Sequence, residues 1–273
     1  MSRVFDFNVH AVDFPLMLEQ IHQEEKSLTP SKVIANLQKC KHFLSKAEGI
    51  NLNILTDYFF QCEDNEQIID SLREVLPNLV SITATTPIVC LEALPYLNIL
   101  KEVGVKGIHF HSYVQNISEA NFPDMVSIAR QASEMGFHIS IDTSYGTTKL
   151  FDCNNLKLAA RICEVVKRSP IIFVHAGGLR LADALALADY CSNVYLETSF
   201  SMNYLADSPY EDLYAYVFRK LGSERIIFGS DLPYFKPDEA ISVLDRVLSK
   251  ASFSNSEKEN VFYYNAARIV GLV

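Results

Sequence analysis

Polar and apolar side chains alternate near the start of the chain, in the segment FDFNVH. Asp6, Asn8 and His10 occupy every second position, with phenylalanine and valine between them. Because successive side chains of a strand point to opposite faces, this spacing predicts a strand with one polar face and one apolar face. Carboxylate, amide and imidazole groups can bind cations or move protons, so the polar face either meets solvent or belongs to a site.

Further side chains of this kind lie at the ends of other apolar, strand-like segments. Five of the seven histidines fall in such segments, where burial of an unpaired imidazole costs free energy. A cluster that converges from several strands explains this distribution better than chance. The candidates beyond the first segment are His109, His111, Asp142, His175, Glu197 and Asp231.

A structural role is the alternative for each of these residues. His175 is followed by AGG and Asp231 lies in FGSDLP, and we interpret both as functional because glycines let the backbone approach a ligand closely. His109 and His111 could instead bond tyrosine or backbone groups. Glu197 could orient a site histidine or pair with an arginine.

Strand-like segments alternate with helix-like segments along the whole chain. One helix is predicted behind Thr29 as N-cap and Pro30 as first helical residue. A last helix is predicted to open with Ser256 and Glu259 at capping-box spacing. The strands are predicted at residues 4–10, 52–59, 79–86, 105–112, 137–144, 170–177, 193–199 and 225–231.

Eight strands, each followed by a helix, predict an α/β fold, a single (β/α)8 TIM barrel over residues 1–273 with an extra C-terminal helix. An open doubly wound sheet is the alternative, but AVDFPLM after the first strand lacks its glycine-rich phosphate loop. Active-site residues of such barrels lie at the carboxyl ends of strands, as the candidates here do.

The charge balance and the apolar runs of the sequence limit which classes of partner the protein is expected to bind. The 33 acidic against 24 basic residues give a formal charge of -9, which disfavours nucleic acid. No apolar run approaches the roughly 20 residues needed to cross a bilayer, and MSRVFDFNVH lacks the features of a signal peptide. We therefore expect no membrane association and a cytoplasmic location.

The motifs FDFNVH, VKGIHFHSYVQ, FVHAGG, NVYLETS, RIIFGSDLPY and YYNAARIVGL together resemble the amidohydrolase 2 branch of the amidohydrolase superfamily. This branch is related to decarboxylases of aromatic and picolinate-type acids. The resemblance implies a divalent ion, commonly zinc, held by Asp-x-His-x-His on strand one, a histidine on strand five and an aspartate on strand eight. The matching positions, with the neighbouring strand-six histidine, are Asn8, His10, Asp142, Asp231 and His175.

Two of these positions depart from the family pattern, because Asn8 and Asp142 replace histidines. The resulting donor set is richer in oxygen and more negative, so manganese or magnesium become alternatives to zinc. The predicted ligands are His10, Asp142 and Asp231, with His175 as a further candidate and Asn8 as a weak one. The ion could also be absent.

The resemblance favours metal-assisted hydrolysis of an ester, lactone or amide, with Asp231 as base and His175 polarising the carbonyl. Three alternatives remain. A metal-free lactonase would use Asp142 and Asp231, whose mutual repulsion would leave a proton on one of them. A decarboxylase could use the same scaffold, and so could a ligand-binding barrel without catalysis.

The substrate is expected to be a small molecule, a carboxylate or a lactone, bound by loops at the barrel mouth. Arg180 follows HAGG near the start of a helix, where a carboxylate would find a cation and helix N–H groups. The predicted substrate contacts are His109, His111, Tyr145, Arg180 and Tyr234. A homodimer is also expected, because barrels of this branch commonly dimerise.

Overall fold

Eight parallel strands form one sheet in the order β1 to β8. The computed structural model of the protein describes residues 3–13, 24–60, 64–144 and 154–273. The residues that follow β8 meet β1 through backbone hydrogen bonds, since Asp231 N donates to Asn8 O at 2.8 Å and His10 N donates to Leu232 O at 2.8 Å. The predicted TIM barrel is confirmed. The strands are β1 Phe5–His10, β2 Gly49–Ile54, β3 Leu79–Thr85, β4 Gly107–Phe110, β5 His138–Asp142, β6 Ile171–Val174, β7 Val194–Glu197 and β8 Ile226–Ile227.

Helices lie in the connections between the strands. The predicted start of the first long helix is confirmed, because Thr29 accepts a hydrogen bond from Lys32 N and Pro30 is the first helical residue. The longer helices are Pro30–Cys40, Asn65–Val75, Cys90–Glu102, Phe122–Glu134, Asn155–Val165, Leu181–Tyr190, Tyr210–Leu221 and Pro237–Lys250. Shorter helical turns are Lys41–Leu44, Ser112–Gln115, Glu119–Asn121, His175–Arg180, Ser201–Tyr204 and Ser223–Arg225.

The C-terminal helix begins two residues before its predicted start. Ser254 has extended backbone angles and shares a reciprocal capping box with Glu257, whereas the predicted cap Ser256 is already helical. The serine with the extended backbone is the one that can cap, so the predicted pair was wrong.

The C-terminal helix continues through a π-helical turn and then packs against the barrel. It runs as Asn255–Glu259, Asn260–Tyr264 and Asn265–Ile269. Asn265 Nδ2 donates to the backbone oxygens of Ser223 at 2.6 Å and Ile226 at 2.8 Å. These two bonds tie the end of the chain to the start of β8.

All eight strands differ from their predicted ranges by at least one residue, and β2 and β8 differ most. β2 begins at Gly49, earlier than predicted, where an added Cβ would lie 2.5 Å from Phe5 Cδ2. β8 pairs with β7 only through Ile226–Ile227. The residues after β8 bond β1 instead of β7. Phe7 N, for example, donates to Phe228 O at 3.0 Å.

A small apolar cluster fills the barrel near its closure, apart from the main core between strands and helices. It joins residues of β1, β6 and β8 to the C-terminal helix, so burial of both chain ends stabilises the same region. Its buried members are Phe5, Phe7, Ile172, Val174, Ile227, Tyr263, Ala266, Ala267 and Val270.

Across residues 3–13, 24–60, 64–144 and 154–273, no helix has both the length and the apolar character needed to cross a membrane.

Candidate active site

A bulge in β1 separates the three polar residues of FDFNVH. The register of β1 against β2 shifts between Asp6 and Val9, so the simple alternation expected for this strand does not hold. The Asp6 side chain accepts from the backbone of Ser230 at 2.8 Å, next to Asp231, while the Phe7 ring lies 5.4 Å from the His138 ring. Asp6 therefore supports the strand that carries Asp231.

A buried chain of charged groups runs through His10. Its Nε2 lies 3.2 Å from Asp231 Oδ1, and its Nδ1 lies 2.8 Å from Glu25 Oε1. Glu25 is only 2% exposed. No pattern in the sequence singled it out.

Asn8 joins Asp231 to the rest of the site. Its Nδ2 donates to Asp231 Oδ1 at 2.9 Å and to Ser199 Oγ at 2.8 Å. Its Oδ1 accepts from Asn53 Nδ2 at 2.6 Å. Both the nitrogen and the oxygen of the Asn8 amide thus bond other protein groups.

Asp142 forms a second charged group with two histidines. Its Oδ2 lies 3.5 Å from His111 Nε2 and 3.4 Å from His175 Nε2. Its Oδ1 accepts from Ser144 N at 3.0 Å and from Ser144 Oγ at 2.8 Å. Strands β5 and β6 and the residue after β4 thus bring three of the predicted residues together.

Glu197 and Ser199, after β7, bind the other side of His175. Ser199 Oγ donates to Glu197 Oε2 at 2.7 Å and lies 2.9 Å from His175 Nδ1. Glu197 also accepts from the backbone of His175 at 3.2 Å. Of the two roles open for Glu197, the orientation of a site histidine is the one that the structure supports.

His109 is buried beside this group, and its ring is stacked on His111 with the centroids 5.6 Å apart. Among the described residues, neither ring nitrogen of His109 has a hydrogen-bond partner. Burial and then the neighbouring His111 lower the pKa of His109 well below its ordinary value. A neutral ring with two free nitrogens can bind a polar group of a substrate or a water molecule.

The carboxylates keep two histidines charged at neutral pH. Burial disfavours the charge on His10, but Glu25 and Asp231 outweigh it and raise its pKa to about 10. Burial likewise opposes the charge on His175, yet Asp231 and Asp142 raise its pKa to about 9. Burial raises the pKa of Glu197 to about 7.

Backbone strain is concentrated at the ends of the last three strands. His175, Phe200 and Asp231 have φ angles of 67°, 48° and 62°, in the left-handed region that non-glycine residues rarely adopt. Such angles cost on the order of 1 kcal/mol each and persist only where the surrounding structure holds them. Two of the three are the predicted catalytic residues.

An aromatic group covers the two charged histidines. The Phe200 ring meets the His175 ring edge to face, with centroids 5.7 Å apart, and the Tyr234 ring meets the His10 ring at 6.1 Å. Phe200 also contacts Tyr234 and Phe235, each at 5.8 Å. Tyr234 was predicted from the sequence as a substrate contact but Phe200 was not, because a phenylalanine after a strand usually indicates core.

A cavity of about 440 Å³ adjoins Tyr234. Its lining includes Leu232 and Pro233 after β8, and Lys39 and Lys236 contribute positive charge to it. Lys39 is paired with Asp13 at 2.7 Å. The cavity is large enough for a small organic molecule.

Three further residues interpreted from the sequence are Arg180, Gly177 and Tyr145. Arg180 bonds Asp183 Oδ2 through Nε at 2.7 Å, so its role toward a substrate carboxylate stays a prediction. An added Cβ at Gly177 would lie 2.6 Å from Ala184 Cβ. Packing against Ala184 therefore accounts for this glycine, in place of the close approach to a ligand that we inferred from the sequence. Tyr145 lies outside the described residues.

The predicted metal ligands do not fit a divalent ion in this arrangement. Asn8 presents amide hydrogens, which cannot ligate, and both ring nitrogens of His10 face carboxylates. Asp142 faces His111 and His175 instead of joining Asp231 and His10. Within the described ranges, no three or more histidine, cysteine, aspartate or glutamate side chains are placed to hold a metal ion.

The comparison by sequence finds one family and no individual relative. The model of the family described as Amidohydrolase (Amidohydro_2) matches residues 63–272. No curated protein sequence is similar enough to the chain to count as a relative.

Solved structures show the same fold at low sequence identity. An uncharacterised TIM-barrel protein from Bordetella bronchiseptica is 12% identical with a TM-score of 0.71, and the match covers 98% of each chain. A probable 2-pyrone-4,6-dicarboxylic acid hydrolase from Acinetobacter baumannii is 14% identical with a TM-score of 0.64, covering 98% of this chain and 99% of the other. A 2,6-dihydroxybenzoate decarboxylase from Rhizobium is 13% identical with a TM-score of 0.62, covering 100% and 99%.

Proposed function

Because the chain belongs to the amidohydrolase family, whose members of known function are enzymes, we propose that it is a hydrolase of a small organic ester or lactone. Water would attack the carbonyl carbon at the carboxyl end of the barrel. The charges needed would come from the protein's own carboxylates and imidazoles. This proposal replaces the metal-assisted mechanism favoured by the family pattern.

The observation that carries the proposal is the setting of Asp231. Its Oδ1 accepts a hydrogen bond from Asn8 Nδ2 at 2.9 Å and lies 3.2 Å from Nε2 of the His10 imidazolium. These contacts fix the position of the carboxylate, as a general base requires. Glu25 supports the positive charge of His10 from the far side of the ring.

The chemical step follows from the two charged groups. Asp231 takes a proton from water as the water oxygen bonds to the substrate carbonyl carbon. The His175 imidazolium stabilises the oxyanion that develops on the carbonyl oxygen. When the tetrahedral intermediate collapses, the carbon–oxygen ester bond breaks and the protonated Asp231 returns its proton to the leaving oxygen.

Two features support a ring-containing substrate. Phe200 and Tyr234 place aromatic faces beside the charged histidines, and aromatic pairs add about 0.5–1.5 kcal/mol to burial. Two structural neighbours are named for reactions of ring-bearing acids, 2-pyrone-4,6-dicarboxylic acid and 2,6-dihydroxybenzoate. A lactone or aryl ester with a planar ring suits both features.

The experiment uses the purified full chain and a panel of lactones, aryl esters and hydroxybenzoic acids. Turnover is measured with a chelator and with added zinc, manganese or magnesium, and bound metal is determined by elemental analysis. We expect chelator-resistant hydrolysis of at least one lactone or ester. Asp231→Asn should lower kcat by about 10²–10⁴-fold, whereas Asp70→Asn at a surface position, with the side chain 80% exposed, should not.

Other outcomes would each overturn the proposal in a distinct way. Hydrolysis that needs an added ion would restore the metal-assisted mechanism. Release of carbon dioxide from a hydroxybenzoic acid without ester hydrolysis would identify a decarboxylase. Saturable binding without turnover, unaffected by Asp231→Asn, would identify a ligand-binding barrel.

A further inference from the structure

Ser199 lies where the two charged groups of the site meet. Its hydroxyl is 2.9 Å from His175 Nδ1, 2.7 Å from Glu197 Oε2 and 2.8 Å from Asn8 Nδ2. The residue is fully buried. All three partners were identified from the sequence as candidate site residues, but Ser199 itself was not.

The direction of each hydrogen bond follows from what the groups can give. A hydroxyl has one hydrogen and two lone pairs. The Asn8 Nδ2 group can only donate, so Ser199 accepts from it. Above its pKa of about 7, the Glu197 carboxylate is ionised and can only accept, so Ser199 donates to it. The remaining lone pair then faces His175 Nδ1, which must carry a hydrogen to use it.

We propose that Ser199 is a positioning residue that keeps the proton of His175 on Nδ1, with Asn8 and Glu197 fixing the direction of its hydroxyl. In the imidazolium form, the proton that His175 can share with a substrate is then the one on Nε2, on the side of Asp142. The kinetic part of this inference rests on the proposed function, but the tautomer does not.

The same network gives Asn8 a role in place of the lost metal-ligand position. One amide hydrogen of Asn8 goes to Ser199 and the other to Asp231, while its oxygen is held by Asn53 at 2.6 Å. Asn8 therefore connects the base, Asp231, to the residue that orients His175. A histidine at this position could not donate to both partners from one nitrogen.

The tautomer is tested by nuclear magnetic resonance on protein labelled with ¹⁵N-histidine, at a pH where His175 is neutral, with His175→Asn identifying its signals. We expect a protonated Nδ1 in the wild type and a shift toward the Nε2-protonated tautomer in Ser199→Ala. The competing acceptor is the backbone oxygen of Ser199, 3.3 Å from Nδ1. An unchanged tautomer in Ser199→Ala would overturn the inference, because this carbonyl would suffice.

The matched control is Ser81→Ala, which removes a buried hydroxyl that bonds Asn51 Oδ1 at 2.6 Å, away from these groups. It should leave the His175 signals unchanged; the same shift in Ser81→Ala would make the effect a general loss of packing and overturn the inference. Ser199→Cys, which keeps the volume with a weaker donor, gives the same test if Ser199→Ala does not fold.

Turnover gives a second readout. On a substrate found for the wild type, Ser199→Ala and Asn8→Ala should each lower kcat at least about tenfold with little change in KM. The double variant should lose less than the product of the two losses, since the residues act through one network. Independent, multiplicative losses would contradict the link. If no substrate is found but the tautomer shifts as expected, the proposed function fails while the positioning role stands.

Discussion

At the scale of single residues, the site is a set of buried charges whose partners decide their protonation. His10 is charged because two carboxylates flank it, and Asn8 is fixed because its amide has three protein partners. Glu25 acts on His10, and Asn53 on Asn8, without needing to touch the substrate. Substitution of such a neighbour should therefore alter the chemistry without removing a reacting group.

Glu25→Gln tests this dependence. Removing the negative charge should lower the pKa of His10, weaken the positive charge beside Asp231 and reduce kcat about tenfold or more. The pH dependence of kcat/KM on a substrate of the wild type measures the effect. Glu24→Gln is the matched control, since Glu24 is also buried but pairs with Lys32 at 2.8 Å; equal losses in both variants would contradict the role of Glu25.

The residues that could be predicted from the sequence are those with a local signal. His10, His175 and Asp231 follow apolar strands, and their positions at the barrel mouth agree with that pattern. Glu25 and Ser199 have no such signal, since Glu25 does not follow a predicted strand and a serine after a strand is common. Their roles depend on partners far away in the sequence, and only the folded chain reveals those partners.

At the scale of the elements, the carboxyl ends of β6, β7 and β8 hold the site under strain. The eight strands and their order could be predicted from periodicity, but the β1 bulge and the short β7–β8 ladder could not. Both depend on how the last strand fits against the first. That fit requires close approach at Gly229, between Glu197 and Asn8.

Gly229→Ala tests the close approach of β8 to β1 and β7. The added Cβ would lie 2.1 Å from Glu197 Oε1 and 2.8 Å from Asn8 Cβ. Displacement of these side chains should cost about 1–3 kcal/mol of stability and abolish turnover. Thermal unfolding and activity are measured together. Gly104→Ala, at a position with φ of 82° and no atom within 4 Å, should lose some stability but keep its activity.

At the scale of the whole molecule, acid stability should depend on a carboxylate that is not one of the site residues. Glu211 is 3% exposed and bonds Arg246, and its Oε2 lies 2.9 Å from Lys250 Nζ. These partners, Arg246 first, lower its pKa from 4.5 to about 2. A carboxyl with a lowered folded pKa stabilises the protein fully above 4.5, and this stabilisation is lost as pH falls toward 2.

Glu211→Gln should lower the free energy of unfolding by about 1–2 kcal/mol at pH 7, a modest figure because its cationic partners are solvent-exposed. The difference from wild type should shrink as pH falls from 4.5 toward 2. Denaturant unfolding at several pH values measures it. Asp212→Asn, which removes an exposed partner of the same Lys250, is the control; a difference for Glu211→Gln that does not vary with pH would contradict the assignment.

The closure of the barrel also has a consequence for folding during synthesis on the ribosome. Asn8 and Asp231, which bond each other at 2.9 Å, are 223 positions apart in the sequence. β1 therefore cannot bond Asp231 until almost the entire chain has been synthesised. During that interval the polar residues of β1 lack their partners, so the nascent chain is exposed to mispairing at this edge. Catalytic competence can therefore arise only after Asp231 has been synthesised.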